Sequence, residues 1–234
     1  MSELTSARVS ASTRTVERAL GLLADVAEHD ARTLSACARS TGLAPSTALR
    51  LLRTLETSGF VTRSAAGTYR PGNRLVRLGA LALGRQPLVD RARPSLQRIV
   101  DHTGESAYLV IRGGLDTAIY LDMVEGTHSI RHTSWVGRAI ELEDLAVAGA
   151  LRGERTEAGY LAQRDRLEPD VTAIAAPIRW AGGVAGALNL LGPTYRIDDA
   201  TMHDYGRVVA REAGVISSHL AAEAGAPAHL EEVR

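Results

Sequence analysis

Residues 41–59 read TGLAPSTALRLLRTLETSG. Thr41-Gly42-Leu43 is a tight turn, because Gly42 supplies a backbone angle that other residues resist. Pro45 suits the first position of a helix, where its missing N–H costs nothing. The apolar spacing carries that helix to about Thr57, and Gly59 closes it. Ala48, Leu51, Leu52 and Leu55 share one face. Ser46, Arg50, Arg53 and Thr57, at i, i+4, i+7 and i+11, share the other. That outer face holds hydroxyls and guanidiniums and no carboxylate, as a helix lying against a polyanion requires.

Working outward, Val16, Ala19, Leu20, Leu23, Val26 and Ala27 recur at helical spacing and predict a helix over 15–28. A short helix over 35–40 follows, with Ser35 as its expected N-cap and Ala36, Cys37 and Ala38 as its apolar residues. Phe60–Arg63, a turn at Ser64–Gly67 and Thr68–Arg70 form a small hairpin that Pro71-Gly72 ends. Three helices, a glycine turn and a hairpin make a winged helix-turn-helix over 13–71, preceded by a flexible arm, 1–12. Residues 72–86 are expected to be a linker helix. Its Leu75, Val76, Leu78, Leu81 and Leu83 are too apolar to face water alone, so it should pack on a second copy or on its own domain. A further helix over 88–103 contains Pro94, which should kink it or mark a new start.

Beyond residue 106 the pattern turns to strands. Ala107–Arg112 and Thr117–Val124 flank a Gly113-Gly114 turn, and Ser129–Val136 reads as a third strand. Leu142–Leu151 reads as a short apolar helix, and Glu154–Ala162 as a site for another. Val171–Trp180 and Val184–Leu191 pair across Ala181-Gly182-Gly183. A last helix runs from Asp198 to Ala224, capped by Asp198 or Asp199, before a flexible tail, 225–234. Hairpins with helices between and after them predict an α+β domain with an antiparallel sheet over 87–224.

The 234 residues carry 27 basic and 27 acidic side chains, a formal net charge of zero. Every basic residue is arginine, and the balance is uneven. Residues 1–86 hold twelve arginines and six acids; residues 87–234 hold fifteen and twenty-one. A basic segment joined to an acidic one suggests a polyanion-binding part attached to something else. Cys37 is the only cysteine, which excludes an intrachain disulfide and any multi-cysteine metal site. No apolar run opens the chain and none is long enough to span a bilayer, so a cytoplasmic protein with no membrane partner is expected.

Three segments of the N-terminal part resemble the DNA-binding domain of the IclR family of bacterial regulators: Thr15–Leu20, Thr41–Thr47, and Arg50-Leu51-Leu52 with Thr54-Leu55. The second half resembles that family's effector domain in Gly104-Glu105-Ser106, Tyr120-Leu121-Asp122, Val136-Gly137-Arg138, Ile174–Pro177, Gly186-Ala187-Leu188 and Gly192-Pro193. The resemblance covers about residues 13–222. It implies a winged-helix domain, a linker helix and a GAF-like ligand-sensing domain. It also implies homodimers, often dimers of dimers, on palindromic promoter DNA, with small organic acids or aromatics as effectors. At pocket positions where family members that hold a small polar acid carry hydroxyl and thiol donors, this chain has Ala173, Asn189 and Leu191. Where many members have Gly-Lys-Ala-Leu, it has Ala148-Gly149-Ala150-Leu151, and Gln163 stands where an acid is common.

Catalytic motifs are absent: there is no Gly-x-Ser-x-Gly elbow, Walker loop or His-Glu-x-x-His, and no cofactor is implied. His128 and His132 are four apart and on a strand would share a face, but a metal site needs more ligands. Asn189 in an otherwise apolar strand is either a core amide bonded to backbone or a polar anchor in a ligand pocket. Trp135 and Trp180 suit a pocket wall or a packing surface. The expected function is a ligand-responsive DNA-binding regulator, a repressor. The alternative is a DNA-binding regulator whose C-terminal domain only oligomerises. Arg14, Ser46, Thr47, Arg50, Arg53, Arg63 and Arg70 are the candidate DNA contacts. His132, Trp135, Ala148, Gly149, Ala150, Ala173, Asn189 and Leu191 are the candidate effector contacts. The predicted effector is an organic acid, aromatic or partly apolar, because three positions have lost the hydroxyl and thiol donors of those members. Its polar end is expected on Asn189 and on backbone N–H groups near Gly149-Ala150.

Overall fold

The computed structural model describes residues 13–84, 86–113, 117–154 and 156–225. The expected arm and all of the expected tail except Gly225 lie outside them, as does Gly114. The chain divides into two compact units, residues 1–85 and 86–234.

The first unit runs α1 (Arg14–Ala27), α2 (Leu34–Ser40), α3 (Pro45–Thr57), β1 (Val61–Arg63), β2 (Tyr69–Pro71) and α4 (Asn73–Leu83). Leu22 and Val26 of α1, Cys37 of α2, Leu52 of α3 and Tyr69 of β2 are fully or almost fully buried in one cluster. Gly42 turns α2 into α3 at φ +63°, and the Leu43 N–H returns to the Ala38 carbonyl. The wing is a two-stranded antiparallel hairpin, and backbone bonds between Arg32 and Tyr69 hold it to the segment after α1. One boundary differs from expectation. Thr33, not Ser35, caps α2, its hydroxyl accepting from the Ala36 N–H at 3.2 Å. Helix α4 starts against β1, where the Arg74 guanidinium lies 4.8 Å from the Phe60 ring centre. It buries none of its residues within the chain.

The second unit runs α5 (Pro87–Thr103), β3 (Ser106–Arg112), β4 (Thr117–Val124), β5 (Ala139–Glu141), α6 (Ala146–Arg152), β6 (Leu161–Arg164), β7 (Val171–Trp180), β8 (Gly183–Pro193), a 3₁₀ turn (Thr194–Arg196) and α7 (Asp199–Gly225). Six strands form one antiparallel sheet in the order β5-β4-β3-β8-β7-β6. The central strands are apolar on both faces, and strict alternation divides their side chains. Ala107, Leu109, Ile174, Ala176, Ile178, Leu188 and Leu190 pack under α5 and α7. Tyr108, Val110, Ala173, Ala175, Ala187 and Leu191 face α6 and the segment 125–138. The fold is α+β, as expected, with both sheet faces covered.

Four readings of this unit are corrected. Residues 129–136 are not a strand. Their carbonyls accept from side chains instead of a neighbouring strand, Ser106 Oγ bonding the His132 oxygen at 3.2 Å and the Tyr108 hydroxyl the Thr133 oxygen at 2.8 Å. The free edge of β4 goes to β5, so His128 and His132 do not share a strand face. The helix expected from Leu142 begins at Ala146, whose N–H is capped by Gln163 Oε1 at 2.7 Å. No helix forms between Glu154 and Ala162 among the described residues. Gly159 turns the chain at φ +78°, Thr156 Oγ1 bonds the Tyr160 carbonyl, and Leu161 then opens β6. Pro94 starts no new helix, because α5 runs through it. The proline is exposed, so the carbonyl that it leaves unpaired can meet water. Of the two expected caps for α7, Asp198 serves, its Oδ1 accepting from the Thr201 N–H at 2.8 Å. No described helix is long and apolar enough to cross a membrane.

Candidate functional sites

Helix α3 buries Ala48, Leu51, Leu52 and Leu55 and exposes Ser46, Arg50, Arg53 and Thr57. An open groove on this helix is lined by Ser46, Leu49, Arg50, Arg53, Thr54 and Thr57. Thr47, next to Ser46 in the first turn, is half-buried, and Arg14 opens α1 exposed. Arg63 and Arg70 are exposed on the wing, their backbones facing Tyr69 and Thr62, and the Arg63 guanidinium sits 5.7 Å from the Tyr69 ring centre. Among the described residues, none of Arg14, Arg50, Arg53, Arg63 and Arg70 is in an ion pair. Arg32 of the same unit is held by Asp25 at 2.5 Å. The unpaired guanidiniums remain free to meet phosphate or base edges.

In the second unit, the face of the sheet under segment 125–138 carries a circuit of four rings. Tyr108 meets Tyr120 edge-on at 5.2 Å between centres, Tyr120 meets Trp135 at 5.3 Å, Trp135 meets His132 at 4.7 Å, and His132 meets Tyr108 at 5.7 Å. The Arg138 guanidinium lies 4.2 Å from the Trp135 ring centre. Ala146, Ala150, Ala173, Ala175 and Ala187 line the same cluster, and Leu191 joins them. Small side chains facing large rings leave the shape of this layer to the rings.

Polar atoms are threaded through the cluster. Asn189 is 1% exposed, and its Nδ2 lies 3.1 Å from the Tyr120 hydroxyl. Among the described residues its Oδ1 has no hydrogen-bond partner, and neither has His132 Nε2. Burial pushes both tyrosine hydroxyls far above the ordinary phenol range. Burial also lowers the His132 pKa, although the Glu168 carboxylate, 3.7 Å from Nε2, acts in the opposite direction.

Of the expected effector contacts, His132, Trp135, Ala150, Ala173, Asn189 and Leu191 meet at this face. Ala148 is buried outside the cluster. Gly149 faces Glu154 and Leu161, and its N–H is spent on the Leu145 carbonyl at 3.0 Å, so it offers no free donor to a ligand. Tyr108, Tyr120, Arg138 and Glu168 are not among the expected effector contacts, although Tyr120 and Arg138 stand in motifs that carry the family resemblance. Strand parity was the available signal for the first, since Tyr108 pairs with Asn189 across β3 and β8 and must share its face.

Comparison with known proteins finds two family domains in this order. The IclR helix-turn-helix domain matches residues 15–65, and the bacterial transcriptional regulator IclR C-terminal domain matches residues 80–157. The HTH-type transcriptional regulator BhcR of Paracoccus denitrificans is 31% identical over 82% of this chain and 82% of its own. An IclR transcriptional regulator from Alicyclobacillus acidocaldarius shares the fold with a TM-score of 0.74, at 23% identity over 87% of this chain and 97% of that one. An IclR homologue from Microbacterium hydrocarbonoxydans, complexed with 4-hydroxybenzoate, shares it with a TM-score of 0.70, at 22% identity over 88% and 98%. The chain belongs to the IclR family of DNA-binding transcriptional regulators.

Proposed function

We propose that this chain is a cytoplasmic repressor. As a homodimer, or a pair of dimers, it binds a palindromic promoter site and responds to a small organic acid that is aromatic or partly apolar. The observation that carries this reading is the two-faced α3, buried on its leucines and open on Arg50 and Arg53, which have no ion-pair partner among the described residues. An arginine in the major groove grips guanine through two hydrogen bonds. Ser46 and Thr47 in the first turn suit phosphate, and Arg63, Arg70 and Arg14 suit the DNA backbone or the minor groove. The domains follow as a winged helix-turn-helix over 13–71, a linker helix over 72–86 and an effector domain over 87–224.

The effector belongs to the aromatic cluster. A very small carboxylate would find alanine and leucine at 173 and 191, where it needs charge-assisted donors. An apolar ring gains about 25 cal/mol for each Å² that it buries there. Leu191 and Trp135 would hold the ring and Asn189 a polar group. Anisotropy titration of the full chain on DNA from its own promoter region, with and without aromatic acids, tests the whole reading. Tight DNA binding that an aromatic acid releases is the expected result. DNA binding that no acid changes, with no acid raising the melting temperature, would leave the second unit an oligomerisation domain.

A further inference from the structure

Leu49 is the only apolar side chain that lines the groove on α3; the other lining residues are arginines, serines and threonines. It is half-buried, and it takes no part in the core cluster that holds Ala48, Leu51, Leu52 and Leu55. Helical spacing sets it beside Ser46, three residues before it, and Arg53, four residues after it. It lies in the second turn of a helix that begins at Pro45. In a helix-turn-helix, the N-terminal turns of this helix are the ones that reach base edges.

Once α3 lies in the major groove, Leu49 must be covered by something. Phosphates and most base-edge groups are donors or acceptors. A leucine laid over one of them strips its water and returns no hydrogen bond, which costs free energy. The exception on the floor of the major groove is the 5-methyl group of thymine. A second copy is the wrong occupant for this face. Arg50 and Arg53 share it and have no ion-pair partner among the described residues. A symmetric contact here would set these charges against their own equivalents and bury them unpaired.

We infer that Leu49 reads the methyl group of a thymine in each half-site, and so selects thymine over cytosine at one position. This rests on the reading of α3 as the base-reading helix. It adds a base that the arginines do not specify, recognised by burial and not by hydrogen bonds.

Replacing thymine by uracil tests it, because uracil pairs alike and lacks only the methyl group. The operator is first located by footprinting on DNA from the chain's own promoter region. Each thymine on either strand of a half-site is then replaced in turn, and affinity is read by anisotropy. At one position the parent chain should lose about fourfold, the worth of one buried methyl group. Leu49→Ala should bind the thymine and uracil forms alike, since both changes remove the same contact and their effects do not add. Leu49→Met, which keeps an apolar end, should retain the preference. Circular dichroism of both variants should match the parent, as Leu49 lies outside the core. Uracil tolerated at every thymine overturns the inference, and the α3 reading stands if Arg50→Ala still weakens the same operator. A uracil penalty that Leu49→Ala keeps in full also overturns it, and gives the methyl group to another residue. Operator affinity unchanged in both Arg50→Ala and Leu49→Ala overturns the α3 reading and the inference with it.

Discussion

Arg196 grips Glu105 with both arms, Nε to Oε1 at 2.8 Å and Nη2 to Oε2 at 3.0 Å, and Glu105 is 1% exposed. The pair ties the residue before β3 to the 3₁₀ turn after β8. It sits at one end of the two strands that carry Tyr108 and Asn189. Arg196 also donates to the Ile130 carbonyl at 2.8 Å, so the same guanidinium holds segment 125–138 to the sheet. Arg196→Ala leaves a buried carboxylate whose remaining ion-pair partner among the described residues is His128, 3.8 Å away. The expected loss is about 2–4 kcal/mol, at the lower end of what breaking a buried pair costs because Arg196 is partly exposed. Urea unfolding followed by tryptophan fluorescence reports on this unit alone, since Trp135 and Trp180 both lie in it. A change under 1 kcal/mol would show that water replaces the arginine.

In the first unit, Asp25 accepts from Arg32 Nε at 3.0 Å and Nη2 at 2.5 Å. Burial alone would raise its pKa. The Arg32 hydrogen bonds and charge, helped by the nearby Ser40 hydroxyl and Cys37 thiol, outweigh burial and hold it below the usual value of 3.8. The folded pKa is therefore the lower one. The contribution of the pair is complete above the unfolded value and is lost as pH falls through the folded value. Asp25→Asn should cost about 1–3 kcal/mol at pH 7, the worth of hydrogen bonds to a charged group. The gap to the parent chain should narrow below about pH 4. Hydrogen exchange in α1–α3 at pH 7 and at pH 3 measures it.

The same carboxylate acts on Cys37. Burial first, and then the hydrogen bond and charge of Asp25, push its thiol up to about 11. A buried thiol with so little thiolate at pH 8 is a poor nucleophile. Ellman's reagent should find no reactive thiol in the folded chain and one per chain in denaturant. Fast reaction of the folded chain would mean that the α1–α3 core opens on the assay's timescale.

The helix-turn-helix was legible because each signal there is local. Periodicity gave α3 its two faces, and the glycine turn set its start. The hairpins β3-β4 and β7-β8 followed from largely apolar runs separated by glycine. Segment 125–138 was not legible, because its partners are the side chains of Ser106 and Tyr108, some 25 residues away in sequence. The start of α6 was misread for the same reason, since its cap comes from Gln163 on β6. Asn189 stood out as a polar residue in an apolar strand. Tyr108 did not, because a tyrosine in a strand is ordinary until its hydroxyl is seen against His132.

We propose that Arg50 and Arg53 read bases and that Arg63 and Arg70 contact the DNA backbone or the minor groove. The two roles predict different losses. Arg50→Ala should cost roughly 1–3 kcal/mol on the specific site and relax the preference at one base pair. Arg63→Ala and Arg70→Ala should weaken all sequences alike, and each should lower the slope of log affinity against log salt by about one. Anisotropy titrations at several salt concentrations, on operator and on scrambled DNA, separate them. An Arg50→Ala variant with unchanged operator affinity would remove α3 from base readout.

Helix α4 exposes Val76, Leu78, Leu81 and Leu83 and buries no residue of its own. On α1, Val16 and Leu20, one turn apart, are also more than half exposed. Leucines left in water on two helices of one small unit are a surface that a second copy would cover. Leu78→Glu with Leu81→Glu removes no contact of the chain with its own core, so circular dichroism should be unchanged. The sedimentation coefficient should fall from that of a dimer toward that of a monomer. Operator affinity should fall as well with α3 intact, because one helix-turn-helix grips one half-site and two grip both. If the variant remains a dimer and keeps its operator affinity, the two copies meet through another surface, and the exposed leucines of α4 need a different occupant.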